Sequence, residues 1–151
     1  MSELAELYQA IILDHNRRPR NYGELAGADT TVTGRNPLCG DEMTVWVRVD
    51  GGRVAEARFV AQGCAVSKAS ASLMTAAVKG KTRDEAEQLF ERVHRLVTGK
   101  LPEEERAGLG PLAALGGVAK FPIRVKCASL PWHALRKALD GGGAQEPVST
   151  E

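Results

Sequence analysis

The sequence has few aromatic residues and almost no net charge, and both features limit what the protein binds. Phe, Trp and Tyr together make up 5% of its 151 residues, and the formal net charge is +1. Nucleic-acid-binding domains usually combine a basic surface with aromatic side chains that stack on bases. We therefore expect no nucleic-acid partner.

Long apolar runs are also missing. No segment approaches the roughly 20 consecutive apolar residues that a membrane-spanning helix needs. The chain starts with acidic, helix-forming residues, whereas a signal peptide has a basic and then an apolar segment. These absences predict a cytoplasmic protein that does not contact the membrane.

The composition fits one globular domain. Hydrophobic residues account for 43% of the chain, which is enough for a core at this length. We expect a single domain over residues 1–140. The glycine run at 141–143 predicts a disordered tail over residues 141–151.

Cysteine is scarce, and its positions are informative. The three cysteines are an odd number, and a reducing compartment disfavours disulfides. A single free cysteine is commonly buried as a small hydrophobic residue. Here, however, Cys39, Cys64 and Cys127 each lie at a junction that Gly or Pro marks, which favours a shared site.

The central stretch is residues 36–42, with the sequence NPLCGDE. Pro37 lacks an N–H donor and Gly40 tolerates positive φ, so these residues predict a turn between two strands. A turn holds the side chains of Cys39 and Asp41 where both can reach one point.

The periodicity predicts an α+β fold. An apolar stripe indicates an N-terminal helix that ends before Pro19, and residues 30–35, 43–49 and 54–63 read as a three-stranded antiparallel meander with a tight turn at Gly51 and Gly52. In the third strand, Val54, Glu56 and Arg58 are expected on one face. A set of helices follows, packed on the sheet: residues 65–78, a helix that a Thr82–Glu85 capping box starts, a short acidic turn or helix near 103, one short helix among the glycines at 108–117, and residues 125–139.

Three thiolates and one carboxylate are donors that zinc accepts tetrahedrally, and thiolates also bind iron–sulfur clusters. Cys64 follows Asp41 by 23 residues and Cys127 follows Cys64 by 63, so the spacing alone does not identify the ligand. Lone His15 after the first helix is more typical of a cap or surface group than of a metal ligand.

Local charge offers support for thiolates. Cys64 and Cys127 are both expected at helix N-termini, where unpaired N–H groups favour negative sulfur. Arg124 and Lys126 flank Cys127 and Arg35 precedes the turn, so each is a candidate to offset the charge of the site. The alternative for Arg124 and Lys126 is an ordinary solvated helix start.

Three motifs, in this order along the chain, are specific enough to suggest a family: residues 36–41 (NPLCGD), 59–72 (FVAQGCAVSKASAS) and 121–127 (FPIRVKC). Together they resemble the IscU/NifU-type iron–sulfur assembly proteins over residues 3 to about 140. The resemblance implies the same SufE/NifU-like arrangement of an N-terminal helix, a three-stranded sheet and C-terminal helices.

Within this family the sequence is most similar to the SufU branch. Scaffold-type members carry a histidine immediately before the last cysteine, where this chain has Lys126, and they lack the extra residues found here around 94–118. The resemblance implies zinc held by Cys39, Asp41, Cys64 and Cys127. Pro131, four residues after Cys127, departs from the family pattern and predicts a kink in the last helix.

The resemblance also implies the function. SufU-type proteins accept persulfide sulfur from a SufS-type cysteine desulfurase and pass it to a downstream iron–sulfur scaffold or to apo-proteins. Cys39, in a turn, is the expected acceptor, and we expect a sulfurtransferase-type carrier without independent small-molecule turnover. Three alternatives remain: a scaffold that assembles a [2Fe–2S] cluster on the same residues, a purely structural zinc site in an adaptor, and a hydrolytic zinc enzyme, which four protein ligands disfavour.

Overall fold

The computed structural model of the chain describes residues 3–36, 40–140 and 148–149. Five α-helices and four strands occur in these ranges: α1 (Glu3–Arg17), β1 (Thr30–Asn36), β2 (Asp41–Asp50), β3 (Arg53–Gln62), α2 (Ala65–Val78), α3 (Arg83–Val97), α4 (Glu103–Arg106), α5 (Pro122–Leu139) and β4 (Val148–Ser149). A 3₁₀ helix, Ala107–Lys120, connects α4 to α5. The predicted α+β order is confirmed. No helix in the described part is long and apolar enough to cross a membrane.

The sheet is an antiparallel meander with one short addition. β1 pairs with β2 and β2 with β3, both antiparallel, and the strand order is β3-β2-β1-β4. Asn36 pairs with Asp41, so β1 ends and β2 begins on either side of residues 37–40. Residues 37–39 of the predicted turn lie outside the described residues. β4 runs parallel to β1 beside Gly34 and Arg35. The rest of the predicted tail lies outside the described residues.

The β2–β3 hairpin has the predicted turn but an unexpected bulge. Gly51 and Gly52 both have positive φ, at 61° and 78°, as a type I′ turn requires. The register then shifts near Arg48 and Val49. As a result Val54 is buried together with Ala57 and Phe59, and the predicted Val54–Glu56–Arg58 face is wrong. A bulge adds one residue to a strand and so reverses the alternation beyond it.

Helices α2 and α5 pack together against the sheet and fix the positions of Cys64 and Cys127. Buried Ser70 of α2 donates a 2.6 Å hydrogen bond to the carbonyl of Ala128. The same hydroxyl oxygen accepts a 3.1 Å bond from Trp132 Nε1. A β-carbon on Gly34 would lie only 3.1 Å from Leu130 Cδ1, so this glycine allows β1 to approach α5 closely.

The last helix starts earlier than predicted. Pro122 takes its first turn, a position where the missing N–H of proline costs nothing. Cys127 is therefore the sixth residue of α5, in its second turn. Pro131 is buried inside α5, and the helix continues through it to Leu139.

The connection between α3 and α5 is only partly as predicted. Thr82 and Glu85 form the capping box that starts α3, with bonds of 2.9 and 3.1 Å. The short acidic helix is confirmed as α4. The following segment is not one short helix but a 3₁₀ run that Gly110 interrupts with φ 58° and ψ −133°.

Candidate metal centre

Asp41, Cys64 and Cys127 meet at one point. One ligand atom from each, a carboxylate oxygen and two sulfurs, lies within 4.8 Å of the others. Asp41 opens β2, Cys64 directly precedes α2, and Cys127 lies in the second turn of α5. The sequence predicted this meeting of distant residues. Cys39 lies outside the described residues, so its part in the site stays a prediction.

The Asp41 side chain is buried and only half satisfied. It is 2% exposed, and its Oδ1 accepts a 2.6 Å hydrogen bond from the backbone N–H of Cys64. Its Oδ2 is buried and has no hydrogen-bond partner in the described part of the chain. Because a buried polar atom without a partner is costly, this oxygen is the expected position for a bound cation.

Gly63 makes room for this carboxylate. Its φ is +116°, and a β-carbon there would lie 2.3 Å from Asp41 Oδ1 and 2.9 Å from Asp41 Cα. The chain therefore needs glycine immediately before Cys64 both for its backbone conformation and for the close approach of Asp41. The sequence motif contained Gly63, but its spacing gave no sign of this contact.

Cys64 caps α2 through its sulfur. Its backbone is extended, with φ −65° and ψ 140°, and Sγ accepts a 3.3 Å hydrogen bond from the N–H of Val66. The predicted position at a helix N-terminus is thus confirmed for Cys64. The side chain is half-buried, so its sulfur is accessible from the neighbouring cavity.

Cys127 has a different environment from the one predicted. It is fully buried and lies beyond the first turn of α5, where free N–H groups are no longer available. Instead, the side-chain amide of Asn36 donates to its sulfur at 3.6 Å. Asn36 is itself fully buried. Asn36 belongs to the motif at residues 36–41, but no role was predicted for it, although a polar residue at the end of a buried strand was the available signal.

The three predicted charged neighbours differ in exposure and in their position relative to the cavity beside the sulfurs. Arg124 is exposed and lines the cavity beside the two sulfurs. Lys126 is half-buried and is not among the residues described around that cavity. Arg35 forms an exposed 2.9 Å ion pair with Glu42.

An open cavity of about 450 Å³ lies over the sulfurs and is called the site cavity below. Cys64, Cys127 and residues 120–124 line it. Two apolar side chains of this lining are unusually exposed, Phe121 at 54% and Ile123 at 57%. Exposed apolar side chains around an opening are typical of a protein-binding surface.

His15 is not the surface group that the sequence suggested. It is buried, and its Nδ1 lies 2.7 Å from Ser72 Oγ. The same hydroxyl oxygen accepts a 2.8 Å bond from the N–H of Arg20. Burial lowers the pKa of His15, with a smaller contribution from Arg20 that the charge of Asp14 opposes. His15 therefore ties α1 to α2.

The chain shares this fold and much of its sequence with known proteins. The IscU iron–sulfur cluster assembly scaffold protein of Streptococcus pyogenes is 40% identical over 92% of this chain and 86% of its own length. The zinc-dependent sulfurtransferase SufU of Bacillus subtilis is 41% identical over 91% of this chain and 92% of its own length.

Solved structures agree with this. A candidate iron–sulfur cluster assembly scaffold protein for the SUF system from Fervidobacterium islandicum has a TM-score of 0.79 at 33% identity, covering 92% of this chain and 96% of that one. The NifU-like N terminal domain matches residues 7–128. The chain therefore belongs to the NifU-like N-terminal domain family, which confirms the resemblance to IscU/SufU proteins.

Proposed function

We propose that the protein works in iron–sulfur cluster assembly as a zinc-bound acceptor of persulfide sulfur, which a SufS-type cysteine desulfurase donates. The observation that carries the proposal is the meeting of Asp41, Cys64 and Cys127 within 4.8 Å, with one buried carboxylate oxygen left unpaired. The similarity to a zinc-dependent sulfurtransferase supports it.

The donor set fits zinc. Two sulfurs on one zinc ion lie about 3.8 Å apart, because each Zn–S bond is about 2.3 Å long and the geometry is tetrahedral. The 4.8 Å spread of the three described donors is close to this, so small side-chain shifts suffice. Asp41, Cys64 and Cys127 would supply three ligands and Cys39 the fourth. When bound, zinc holds the thiols as thiolates, the form that attacks persulfides.

Cys39 is the proposed sulfur acceptor. Its neighbour Gly40 is exposed and has φ +70°, as a tight turn between strands requires. Cys64 and Cys127, by contrast, are held by helices α2 and α5. A ligand in a turn is released with less loss of packing than a ligand in a packed helix.

The transfer is a thiol exchange. The Cys39 thiolate attacks the outer sulfur of the desulfurase persulfide, and a new sulfur–sulfur bond forms. The old bond breaks, and its electron pair leaves with the desulfurase cysteine as a thiolate. Cys39 then carries the persulfide, and no oxidant or reductant is consumed. The protein passes this sulfur to a downstream scaffold or apo-protein and turns over no small molecule by itself.

Mass spectrometry tests the proposal. The protein is incubated with a SufS-type desulfurase and cysteine, and the modified peptide is located. We expect one added sulfur atom on the peptide that contains Cys39, and none in the Cys39→Ser variant. Sulfur on the Cys64 or Cys127 peptide, or no transfer, would contradict the proposal.

Metal analysis separates the two alternatives that share these residues. In protein purified without oxygen, stoichiometric zinc that persists through sulfur uptake supports the sulfur acceptor. A coloured, labile [2Fe–2S] cluster that moves to apo-proteins would instead identify a scaffold. If the zinc site is purely structural, Cys39→Ala should disrupt folding as much as it reduces sulfur transfer.

A further inference from the structure

A second cavity lies beside the candidate metal centre and takes no part in metal binding. It measures about 370 Å³ and lies between α1, the first turn of α2 and the 3₁₀ helix at 107–120. Its wall is largely apolar: Tyr8, Ile12, Val66, Ala113 and Val118. We call it the α1 cavity.

Residues that line the two cavities are close together in the sequence at two places. Val66, which lines the α1 cavity, lies two residues after Cys64, and Val118 lies two residues before Lys120. The residues around the two cavities therefore lie close together. A standard interface buries about 800 Å² on each partner, so a protein that reaches into the site cavity is large enough to cover the α1 cavity as well.

The charged residues described in the lining of the two cavities are all basic. Arg106 is the charged residue described in the α1 cavity, and Lys120 and Arg124 are those in the site cavity. Arg106 is half-buried, and its Nε donates weakly to the carbonyl of Leu101 at 3.4 Å. Within the described ranges, no carboxylate forms an ion pair with Arg106, Lys120 or Arg124.

We propose that the α1 cavity is an anchoring site for the sulfur-donating desulfurase, and that it receives an apolar side chain next to a carboxylate that pairs with Arg106. This inference rests on the proposed function, because that function supplies the partner. An apolar pocket takes the apolar side chain, and a partly buried guanidinium prefers a carboxylate. The anchor holds the donor over the sulfurs without using a metal ligand.

Gly117 gives a way to fill this cavity without disturbing the fold. It is exposed, its φ is outside the left-handed region, and a β-carbon there meets nothing within 4 Å. Its neighbour Gly116 is unsuitable, because a β-carbon there would lie 2.9 Å from Leu96 Cδ1. Gly117→Phe therefore places a ring in the space that the partner would occupy.

Binding of a purified SufS-type desulfurase is measured by calorimetry for the wild type, Gly117→Phe and Arg106→Glu. We expect each variant to bind about tenfold or more weakly, the loss typical of one important interface residue. Ala10→Phe and Arg95→Glu are matched controls: both residues are exposed on other surfaces, and neither lines the cavity. We expect these two to bind like the wild type.

The outcomes distinguish this inference from the function on which it rests. Zinc content and the thermal midpoint are measured on every variant to check that it is folded and holds its metal. If Gly117→Phe fails to fold, the affinity of Arg106→Glu alone tests the anchoring site. Wild-type binding with unchanged affinity in Arg106→Glu and in folded Gly117→Phe overturns the anchoring site and leaves the proposed function intact. No binding and no sulfur transfer by the wild type overturns both.

Discussion

The carboxylate of Asp41 accepts a 2.6 Å hydrogen bond from the backbone N–H of Cys64, so a ligand from the sheet is attached directly to the start of α2. One oxygen of this carboxylate holds the start of β2 against the start of α2, and the other has no protein partner in the described ranges. The same side chain thus joins two structural elements and offers a position to a cation.

Gly63→Ala should weaken both folding and zinc binding. The new β-carbon would overlap Asp41 Oδ1 at 2.3 Å, and the backbone would keep a φ of +116° that alanine rarely adopts. We expect a loss of about 2 kcal/mol or more in the free energy of unfolding, together with reduced zinc content. Urea unfolding and metal analysis measure the two effects.

Gly27→Ala is the matched control for Gly63→Ala. Gly27 also has positive φ, at +78°, but a β-carbon there meets nothing within 4 Å. It should show the conformational cost alone, with zinc content unchanged. Equal effects of the two variants would contradict the contact with Asp41.

Substituting Asp41 should distinguish its two oxygens. Asp41→Asn keeps an acceptor for the N–H of Cys64 but removes the negative charge, whereas Asp41→Ala removes both. We expect both variants to bind zinc more weakly and to change the rate of sulfur acceptance. Asp41→Ala alone should lose about 1–3 kcal/mol of stability, because it leaves the partly buried N–H of Cys64 unpaired. Chelator competition and urea unfolding measure this, and unchanged sulfur transfer in both would count against a role for Asp41.

Asn36→Asp should weaken zinc binding more than Asn36→Ala. The native amide donates to Cys127 Sγ at 3.6 Å, and a carboxylate at this buried position would place negative charge beside the sulfur instead. Hydrogen-bond partners of ligands typically change metal affinity by roughly 10- to 100-fold. Chelator competition measures the affinity, with Asn16→Asp at the end of α1 as the control. Equal zinc affinity in wild type and Asn36→Asp would rule out this role.

Stability should fall in mild acid, and His15 should account for part of the fall. Burial lowers the pKa of His15 below its ordinary value of 6.5, so the unfolded chain binds more protons as the pH falls through that value. Burial, His94 and Arg136 lower the pKa of His133 too, so this second histidine acts in the same direction. The free energy of unfolding should therefore decrease as the pH falls below about 6.5.

His15→Asn tests this share. Asparagine keeps a polar atom near Ser72 but does not titrate in this range. Urea unfolding from about pH 8 to about pH 5.5 should show a shallower pH dependence in the variant, by less than about 1.4 kcal/mol per pH unit, the value for one whole proton. Identical slopes in wild type and variant would contradict the assignment.

Local chemistry made much of the fold predictable. Thr82 and Glu85 predict the start of α3, because a capping box needs only two residues that are three positions apart. Gly51 and Gly52 predict a hairpin, because both central positions of its turn require positive φ. The ligand types of Asp41, Cys64 and Cys127, with the motifs around them, predicted that these residues meet. In each case the deciding interactions lie within a few residues or follow from the donor atoms themselves.

Other features could not be predicted from the sequence, because they depend on contacts between distant elements. Nothing near Val54 indicated the bulge that turns it inward, since that depends on the pairing with β2. The position of Cys127 past the first turn of α5 depended on where the helix starts, and a proline at its first position left the start ambiguous.

The sequence by itself determined the order of helices and strands, the donor atoms and the family, because local hydrogen bonding, side-chain period and ligand chemistry are properties of short segments. Only the tertiary structure decided which groups surround those donors: Asn36 at the sulfur of Cys127, a glycine against Asp41, and a second cavity next to the first. These depend on the packing of β1, α2 and α5 against one another. Contacts between segments so far apart in the sequence produce no periodic residue pattern from which they could be predicted.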